Sequence, residues 1–406
     1  MNQICPIEHC TGCMACHSIC THGAIAISEN ECGFNYPVID KNKCVDCGLC
    51  YKICPQNSTS KGIESLSAYA VYSDSVKDRE SSTSGGASSV FAHKIIEERG
   101  IVYGCVQSSF SDIKHIRITE NDSLYKIKGS KYVQSDITGI FPDVKKDLNE
   151  GKRVLFLGTP CQIAGLQAFL IKKYDNLISV DLVCHGVPSQ KILKDHIQSL
   201  LKDQPKDCHV VFRKKGNDEG DLKFGIFLSE DISRSMIPKS FFFQKEYPHD
   251  SYITGFMCGL FYRESCYHCR YASSDRIADI TIGDFWGLGT QVPSYIDRSK
   301  GISLVLCNTE KGEAFLQQCL DKLVYEKREV REAILGNGQL NQPSLKDRNY
   351  DLFRKLYSQV GYTKAVRRCL RHFYMHYYMV QLPKDKLRKI VFLRKLYKIV
   401  KALYRN

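Results

Sequence analysis

The 406-residue sequence has no long apolar run, and this absence argues against an integral membrane protein. No stretch approaches the roughly eighteen consecutive apolar residues that a membrane-spanning helix needs, so we expect no integral membrane segment. Met1 to Pro6 also lacks a charged start leading into an apolar segment, which is the pattern of a secretion signal. We therefore expect a cytoplasmic protein without a signal peptide.

Acidic residues are scarce at one end of the chain. The formal net charge is +13, and residues 361–406 contain thirteen Lys and Arg with Asp385 as their one acid, so the first 360 residues are nearly neutral. These 360 residues, the body of the chain, lack the basic, aromatic-interleaved pattern typical of nucleic-acid domains. We therefore predict no nucleic-acid partner. The positive charge belongs to a C-terminal appendage.

Within this appendage, Leu387 to Tyr404 has apolar residues on one helical face and Lys and Arg largely on another. A basic amphipathic helix can lie on an anionic membrane surface, which would give peripheral contact at the cytoplasmic face. The same pattern also fits a helix that docks on its own domain with its basic side in solvent. Both interpretations remain open.

Cysteine, in contrast, is abundant, with twenty in the chain. Eight of them form two C-x2-C-x2-C-x3-C runs: Cys10, Cys13, Cys16 and Cys20, then Cys44, Cys47, Cys50 and Cys54. In bacterial two-cluster ferredoxins this spacing puts three thiolates on one 4Fe-4S cluster, while the fourth cysteine ligates the partner cluster. Disulfide frameworks belong to small secreted chains and zinc sites use separated pairs, so neither fits as well. Thr21 replaces the proline expected after the first run, without removing a ligand.

After a short linker near Ser60, strand and helix patterns alternate along the chain. We predict strands at 68–72, 101–106, 153–157 and 177–183, and helices at 86–98, 161–173 and 189–201. This order is typical of parallel-sheet units that bind ligands at the strand ends. Further strands at 210–213, 225–228, 277–282 and 302–307 are expected to complete one mixed sheet.

Two polar loops in this body have features of anion sites. Residues 82–88 combine Ser, Thr and Gly before a helix, where glycines allow close backbone approach and helix amides favour a phosphate. An ordinary serine-capped helix fits this loop equally well. Residues 128–135 offer two lysines and a tyrosine, which suit a phosphate and an aromatic ring, or else a solvated hairpin.

Four more cysteines suggest a third site. Cys161 and Cys184 each follow a predicted strand, and Cys266 and Cys269 form a separate C-x2-C pair. Such a set can hold zinc or an iron-sulfur cluster, or it can be a collection of unrelated buried thiols. The other eight cysteines are interpreted mostly as buried thiols: Cys5, Cys32, Cys105, Cys208, Cys258, Cys307, Cys319 and Cys369.

Five motifs in a fixed order carry a family resemblance. They are Ser84 to Gly86, Gly129 to Ser135, Gly158 to Gln162, Cys184 to Ser189, and Asp279 to Gly287. Together with the cysteine runs they resemble the coenzyme F420 hydrogenase/dehydrogenase beta-subunit family, which is also similar to 7-hydroxymethyl chlorophyll a reductase. The resemblance covers about residues 1 to 310.

The resemblance implies FAD beside a third 4Fe-4S cluster. The implied cluster ligands are Cys161, Cys184, Cys266 and Cys269, and the implied flavin contacts are Ser84, Gly85, Gly86, Ser130, Lys131, Tyr132 and Gln134. It assigns no catalytic residue, and we interpret His185 as structural. The expected fold is a mixed α+β and α/β architecture, in which a bacterial-type ferredoxin domain is fused to a mixed-sheet flavin and iron-sulfur body with a basic helical tail.

The expected domain organisation has four parts. These are a ferredoxin-type domain at 1–60, a flavin-contacting region at 61–150, a catalytic region with the third cluster at 151–335, and the tail at 336–406. The implied function is an oxidoreductase that passes electrons from a ferredoxin or another redox protein to FAD and an organic acceptor. The acceptor is coenzyme F420, or an unidentified metabolite or glycan precursor in polysaccharide biosynthesis. The alternative is a non-catalytic electron-transfer subunit of a larger redox complex.

Overall fold

The computed structural model describes residues 3–58, 62–201, 208–216, 222–230 and 240–384. The chain forms two compact units, Met1–Asp347 and Arg348–Asn406. Among the described residues, no helix has the length and apolar character needed to cross a bilayer. The amphipathic helix expected at 387–404 lies outside the described residues, and it and the fourfold domain division remain predictions.

The first unit begins with a small region that contains both cysteine runs. Its elements are α1 (Ala15–Ile19), β1 (Ile25–Glu29), β2 (Asn35–Ile39) and α2 (Leu49–Lys52). The two strands pair antiparallel. Each helix starts after a left-handed residue, Met14 with φ 58° and Gly48 with φ 70°, so the chain turns sharply within each run of cysteines.

The rest of the first unit alternates strands and helices. In chain order its elements are β3 (Ser67–Ser73), α3 (Val76–Ser81), α4 (Ala87–Glu97), β4 (Ile101–Ser109), β5 (Asp112–Ile118), α5 (Ile140–Asn149), β6 (Val154–Gly158), α6 (Pro160–Leu170), β7 (Leu177–Leu182), α7 (Gln190–Leu200), β8 (His209–Lys215), β9 (Leu222–Ser229), β10 (Phe243–Glu246), α8 (Ser251–Met257), β11 (Ile280–Asp284), β12 (Ser303–Cys307), α9 (Glu310–Gln317), β13 (Leu323–Arg328) and α10 (Val330–Gly336).

The main sheet has the order β13-β3-β12-β11-β7-β6-β4-β5. Its central strands β4, β6, β7 and β11 are parallel, and the outer pairs are antiparallel. A ferredoxin-like region followed by this mixed sheet confirms the predicted fold class. Because β6 and β7 are parallel neighbours, the loops that leave their carboxyl ends meet at one edge of the sheet.

Strands β8, β9 and β10 form a separate three-stranded antiparallel sheet. The expectation that residues 210–213 and 225–228 complete the main sheet is therefore wrong. Consecutive strands pair with each other here, and aromatic side chains hold them against the body, since Phe212 contacts both Tyr132 and Tyr252.

Helices cover both faces of the main sheet. Alternate residues of β6 face opposite ways: Leu155 packs with α4 and α9, whereas Phe156 packs with α5 and α6. The second core also includes Met14 and Ala15, so the ferredoxin-like region packs directly against the body rather than standing apart from it.

The second unit is helical in its described part. It contains α11 (Tyr350–Cys369), α12 (Arg371–His376) and a π-helical segment (Tyr377–Gln381). Gly361, with φ 74°, interrupts the helical backbone within α11.

Candidate functional site

The first group of thiols combines most of the first cysteine run with the last cysteine of the second. Cys16 lies within electrostatic reach of Cys13, Cys10 and Cys54. Three members of this group are buried, and Cys10 is half-buried. Cys54 therefore joins the first run, as ligation across two clusters requires.

The second group of thiols lines a cavity at the outer end of the ferredoxin-like region. Its members are Cys20, Cys44, Cys47 and Cys50. Cys47 is exposed and the other three are half-buried. Cys20 of the first run therefore groups with the second run, just as Cys54 of the second run groups with the first. This second group, which we call the outer group, is the more accessible of the two.

The third group of thiols brings together the four scattered cysteines. Cys161 lies in the first turn of α6, directly beyond β6, and Cys184 follows β7. Cys266 and Cys269 come from a short 3-10 turn and its end. Cys266 lies within electrostatic reach of the other three. The sheet edge and this turn therefore converge on one site.

Burial controls the protonation of the third group. Desolvation raises the pKa of both Cys161 and Cys184 to about 12, and it also raises the pKa of Cys266 and Cys269. Four neighbouring thiols with raised pKa values are neutral near pH 7, and a metal centre must displace their protons to bind them as thiolates.

Hydrogen bonds from a cysteine outside the two runs lower the pKa of two thiols in the first group. The thiol of Cys5 hydrogen-bonds to Cys10 and Cys54, and this contact lowers the pKa of Cys10 to about 6 and that of Cys54 to about 7. The nearby Arg263 guanidinium acts on Cys10 in the same direction.

The spacing of the thiols bears on the kind of centre they fit. Within the described part of the chain, no three Cys, His, Asp or Glu side chains are placed to hold one metal ion. A tetrahedral zinc site draws its sulfurs to about 2.3 Å from a single point, whereas the thiolates of a 4Fe-4S cluster bind different iron atoms and stand further apart. The donor set, of thiols alone and four to a group, fits iron-sulfur clusters.

The first and third groups are neighbours. Cys13 lies within electrostatic reach of Cys161, and helix α1 packs on helix α6 between the two groups. Gly165 makes this approach possible, because a Cβ on Gly165 would lie 2.7 Å from the Cβ of Cys13 and 2.9 Å from its Sγ.

Substituting Gly165 with alanine tests this close approach. Alanine normally stabilises a helix by about 1 kcal/mol over glycine, but here the added methyl must displace Cys13. We expect G165A to lower the stability of the reconstituted protein by about 2 kcal/mol, the usual scale of overpacking, and to loosen the first group. Anaerobic thermal unfolding followed through the visible absorbance measures this loss. Gly338, where an added methyl would meet no atom within 4 Å, provides the control G338A, and equal behaviour of the two variants would contradict the prediction.

A second cavity lies between the end of α3 and the residues after it (80–83), the loop at 128–131 and strand β8. Phe212, Arg213, Lys214, Lys215 and Phe241 contribute aromatic and basic side chains to its lining. Aromatic faces and cations of this kind suit a ring system that carries phosphate groups.

Arg213 is the most distinctive of these side chains. It is buried, and its Nη1 donates to Asp284 at 2.5 Å, while Nε and Nη2 have no hydrogen-bond partner within the described residues. Buried donors of this kind are costly unless a ligand satisfies them. His185, next to Cys184, lies within electrostatic reach of both Asp284 and Arg213, so Arg213 connects the cavity lining with the loop that carries Cys184.

Two of the seven predicted flavin contacts, Ser130 and Lys131, line this cavity. Ser130 donates through its hydroxyl to Thr83 at 3.2 Å. The ammonium of Lys131 is turned inward, where it donates to four backbone carbonyls, of which that of Lys128 is closest at 2.7 Å. Burial lowers the pKa of Lys131 to about 8. Lys131 therefore shapes the loop, and the solvated-hairpin alternative does not describe it.

The other five predicted contacts lie outside the lining that the described residues define. Ser84 donates to the carbonyl of Ile302 at 2.9 Å, and Gly86, with φ 96°, is the N-cap of α4, so the helix is not serine-capped. Gly85 lies against backbone, since a Cβ there would meet the carbonyl of Val71 at 2.2 Å.

Tyr132 and Gln134 have other partners. Tyr132 stacks on Phe256 with ring centroids 4.7 Å apart. Gln134 lies in a polar cleft beside the ferredoxin-like region, where its amide donates to the carbonyl of Thr11 at 3.0 Å. The assignment of flavin contacts to individual residues remains a prediction.

Sequence reasoning missed the basic run Arg213-Lys214-Lys215. Three consecutive cations at the end of a strand are the signal that could have revealed it. Five of the eight unassigned cysteines are buried, namely Cys32, Cys208, Cys307, Cys319 and Cys369, whereas Cys5, Cys105 and Cys258 are half-buried.

Comparison with known families identifies two segments of the chain. Residues 9–58 match the 4Fe-4S dicluster domain, and residues 151–333 match the family described as the C terminus of the coenzyme F420 hydrogenase/dehydrogenase beta subunit. Together with the three thiol groups, these matches define the class as an iron-sulfur oxidoreductase. The matches confirm the resemblance to the coenzyme F420 hydrogenase/dehydrogenase beta-subunit family over residues 151–333 and the two-cluster 4Fe-4S domain at the N-terminus.

Individual relatives are distant. The chain is 23% identical over 327 residues to the coenzyme F420-dependent sulfite reductase of Methanocaldococcus jannaschii, covering 77% of this chain and 46% of that protein. The chain thus spans about half the length of this curated relative. A chain from the F420-reducing NiFe hydrogenase complex of Methanosarcina barkeri, solved as a xenon derivative, aligns with a TM-score of 0.43 and 16% identity, over 76% of this chain and 92% of that one.

Proposed function

We propose that this protein is an iron-sulfur flavoprotein that transfers electrons between a one-electron protein donor and an organic acceptor. The observation that carries the proposal is the order of the sites. An accessible thiol group, a buried thiol group and a third group follow one another, and Arg213 of the basic cavity lies within electrostatic reach of His185, next to Cys184. When bound, 4Fe-4S clusters supply one-electron couples, and a flavin converts between one-electron and two-electron chemistry.

In this proposal the chain's own residues hold three clusters and one FAD. The first group would hold one cluster and the second group another, while Cys161, Cys184, Cys266 and Cys269 would hold the third. The cavity beside β8 would bind FAD, with the buried cation Arg213 in its wall. Ser130 remains a proposed flavin contact at the same wall.

The proposed donor is a ferredoxin or a similar redox protein, because the outer thiol group is the accessible one. The proposed acceptor is coenzyme F420, which the names of the matched family and of the curated relative include, or an unidentified metabolite or glycan precursor of polysaccharide biosynthesis.

A second candidate is an electron-transfer component of a larger redox assembly. It is favoured by the length of the curated relative, since this chain spans less than half of a protein that is named for sulfite reduction. In this case the chain would have no acceptor site of its own.

Quantification of iron, sulfide and flavin after anaerobic purification distinguishes these functions. The main proposal expects about twelve irons and one FAD per chain, from three four-iron clusters and one cavity. Reduction of F420 by reduced ferredoxin would then identify the acceptor. About twelve irons without flavin would favour the electron-transfer component, and fewer than about four irons would overturn both functions.

A further inference from the structure

Arg263 is a buried cation whose hydrogen bonds, among the described residues, reach no carboxylate. Its side chain is 1% exposed. Nε donates to the carbonyl of Cys10 at 2.7 Å, Nη2 to the carbonyl of Asn35 at 2.9 Å, and Nη1 to Oε1 of Gln134 at 3.1 Å. Nη2 also lies 3.7 Å from Sγ of Cys10. Within the described residues, none of these bonds reaches a carboxylate.

Other buried arginines of the body are arranged differently. Arg276 pairs with Asp181 at 2.9 Å, and Arg328 pairs with Glu332 at 2.8 Å. A buried charge without an opposite partner is costly, and proteins seldom retain one unless another negative group compensates it. The nearest candidates for Arg263 are the thiols of the first group, because Cys10 feels its charge directly.

The backbone of Arg263 is hydrogen-bonded to the segments that carry the third group of thiols. Its N–H donates to the carbonyl of Val187, in the loop that follows Cys184, at 2.9 Å. Its carbonyl accepts from the N–H of Cys266, also at 2.9 Å. One residue therefore connects the loops of the third group through its main chain to the Cys10 loop through its side chain.

Aromatic rings and a close backbone leave only 1% of this side chain exposed, at the wall of the polar cleft that also contains Gln134. The charged carbon lies 4.2 Å from the ring centroid of Tyr36 and 5.6 Å from that of Phe34. Gly12, with φ 68°, leaves space for the side chain, because a Cβ there would lie 2.8 Å from Nη1 of Arg263. At this low exposure a fixed charge acts more strongly on its neighbours than it would in bulk water.

We propose that Arg263 is a positioning residue that holds the first thiol group against the third and provides a fixed positive charge to the cluster of the first group. The inference rests on the proposed function, because it requires a cluster at Cys10, Cys13, Cys16 and Cys54. Reduction of a 4Fe-4S cluster adds one electron, and no bond to the protein changes. The charge of Arg263 offsets the negative charge gained, so it makes this reduction easier.

Redox titration of the anaerobic full-length protein with dithionite, followed by electron paramagnetic resonance, tests the charge. In R263Q we expect the ratio of reduced to oxidised first cluster at a fixed potential to fall about tenfold, which is about 59 mV for one electron. R263K, which keeps the charge but loses the planar fork, should shift less. R328Q and R328K change a buried arginine at the end of β13 and should leave every couple in place.

A second substitution keeps Arg263 and offsets its positive charge with a neighbouring carboxylate. Q134E places a carboxylate on the atom that already accepts from Nη1, so the same couple should shift in the same direction as in R263Q. This variant decides the question if R263Q does not retain iron. If the first cluster of a variant that retains its iron keeps the wild-type reduction potential, the role of Arg263 is wrong. The proposed function would not be affected by that result. Wild-type protein without cluster signals would instead overturn the proposed function.

Discussion

Cys266→Ala is expected to remove the third cluster and leave the other two. Iron should fall from about twelve to about eight atoms per chain, because four-iron clusters are lost as units. The first and second groups contain no residue from the body, so their ligands are intact in this variant. Iron and sulfide quantification after anaerobic purification measures the change, and the visible spectrum of the remaining clusters should persist.

Cys258→Ala provides the matched control for this loss. Cys258 is half-buried and follows α8, and it belongs to none of the three groups. This variant should retain about twelve irons, as in a protein with three four-iron clusters. Full iron content in C266A would mean that the four scattered cysteines do not hold a cluster. A loss of all iron in C266A would mean that the ferredoxin-like region depends on the third site to fold.

Arg213→Lys is expected to weaken flavin binding. Lysine keeps a positive charge but loses the planar guanidinium, which can bind a phosphate group through two donors at once. Hydrogen bonds to charged groups contribute about 2 kcal/mol, so the Kd for FAD should rise about thirtyfold. Titration of flavin-free protein with FAD, followed by flavin fluorescence, measures this change.

Arg298→Lys is the control for this effect. Arg298 donates to the carbonyl of Leu288 at 2.8 Å and does not line the cavity that the described residues define. Its substitution should leave the Kd for FAD unchanged. If R213K binds FAD as tightly as the wild type, the flavin site lies elsewhere, and the assignment of the cavity beside β8 is wrong.

The sequence predicted the thiol-rich regions well because iron-sulfur ligation depends on local spacing. Within each run the chain turns so tightly that three cysteines must lie together, and the exchange of Cys20 and Cys54 follows from the same spacing. Cys161 and Cys184 were also placed by a general rule, since each leaves the carboxyl end of one of two neighbouring parallel strands. No such rule brings Cys266 and Cys269 to that edge; the cysteine pattern allowed a shared site among several alternatives, and the family resemblance favoured it.

The cavity and the buried cation were harder to predict because they depend on long-range packing. Lys131 and Arg213 are both basic residues near a loop, but the first is turned onto backbone carbonyls and the second faces the cavity. Arg263 has no motif around it. Its role arises because three distant segments, at Cys10, Asn35 and Gln134, meet at one guanidinium.

The graded exposure of the thiol groups sets the order in which air damages the protein. Cys47 in the outer group is exposed, whereas Cys13 and Cys16 are buried below it. Oxidants reach accessible thiolates first, so the outer cluster would be stripped before the inner ones. A preparation handled in air would then keep most of its iron and its colour while losing contact with its electron donor. Colour is therefore a poor guide to whether such a sample can still turn over.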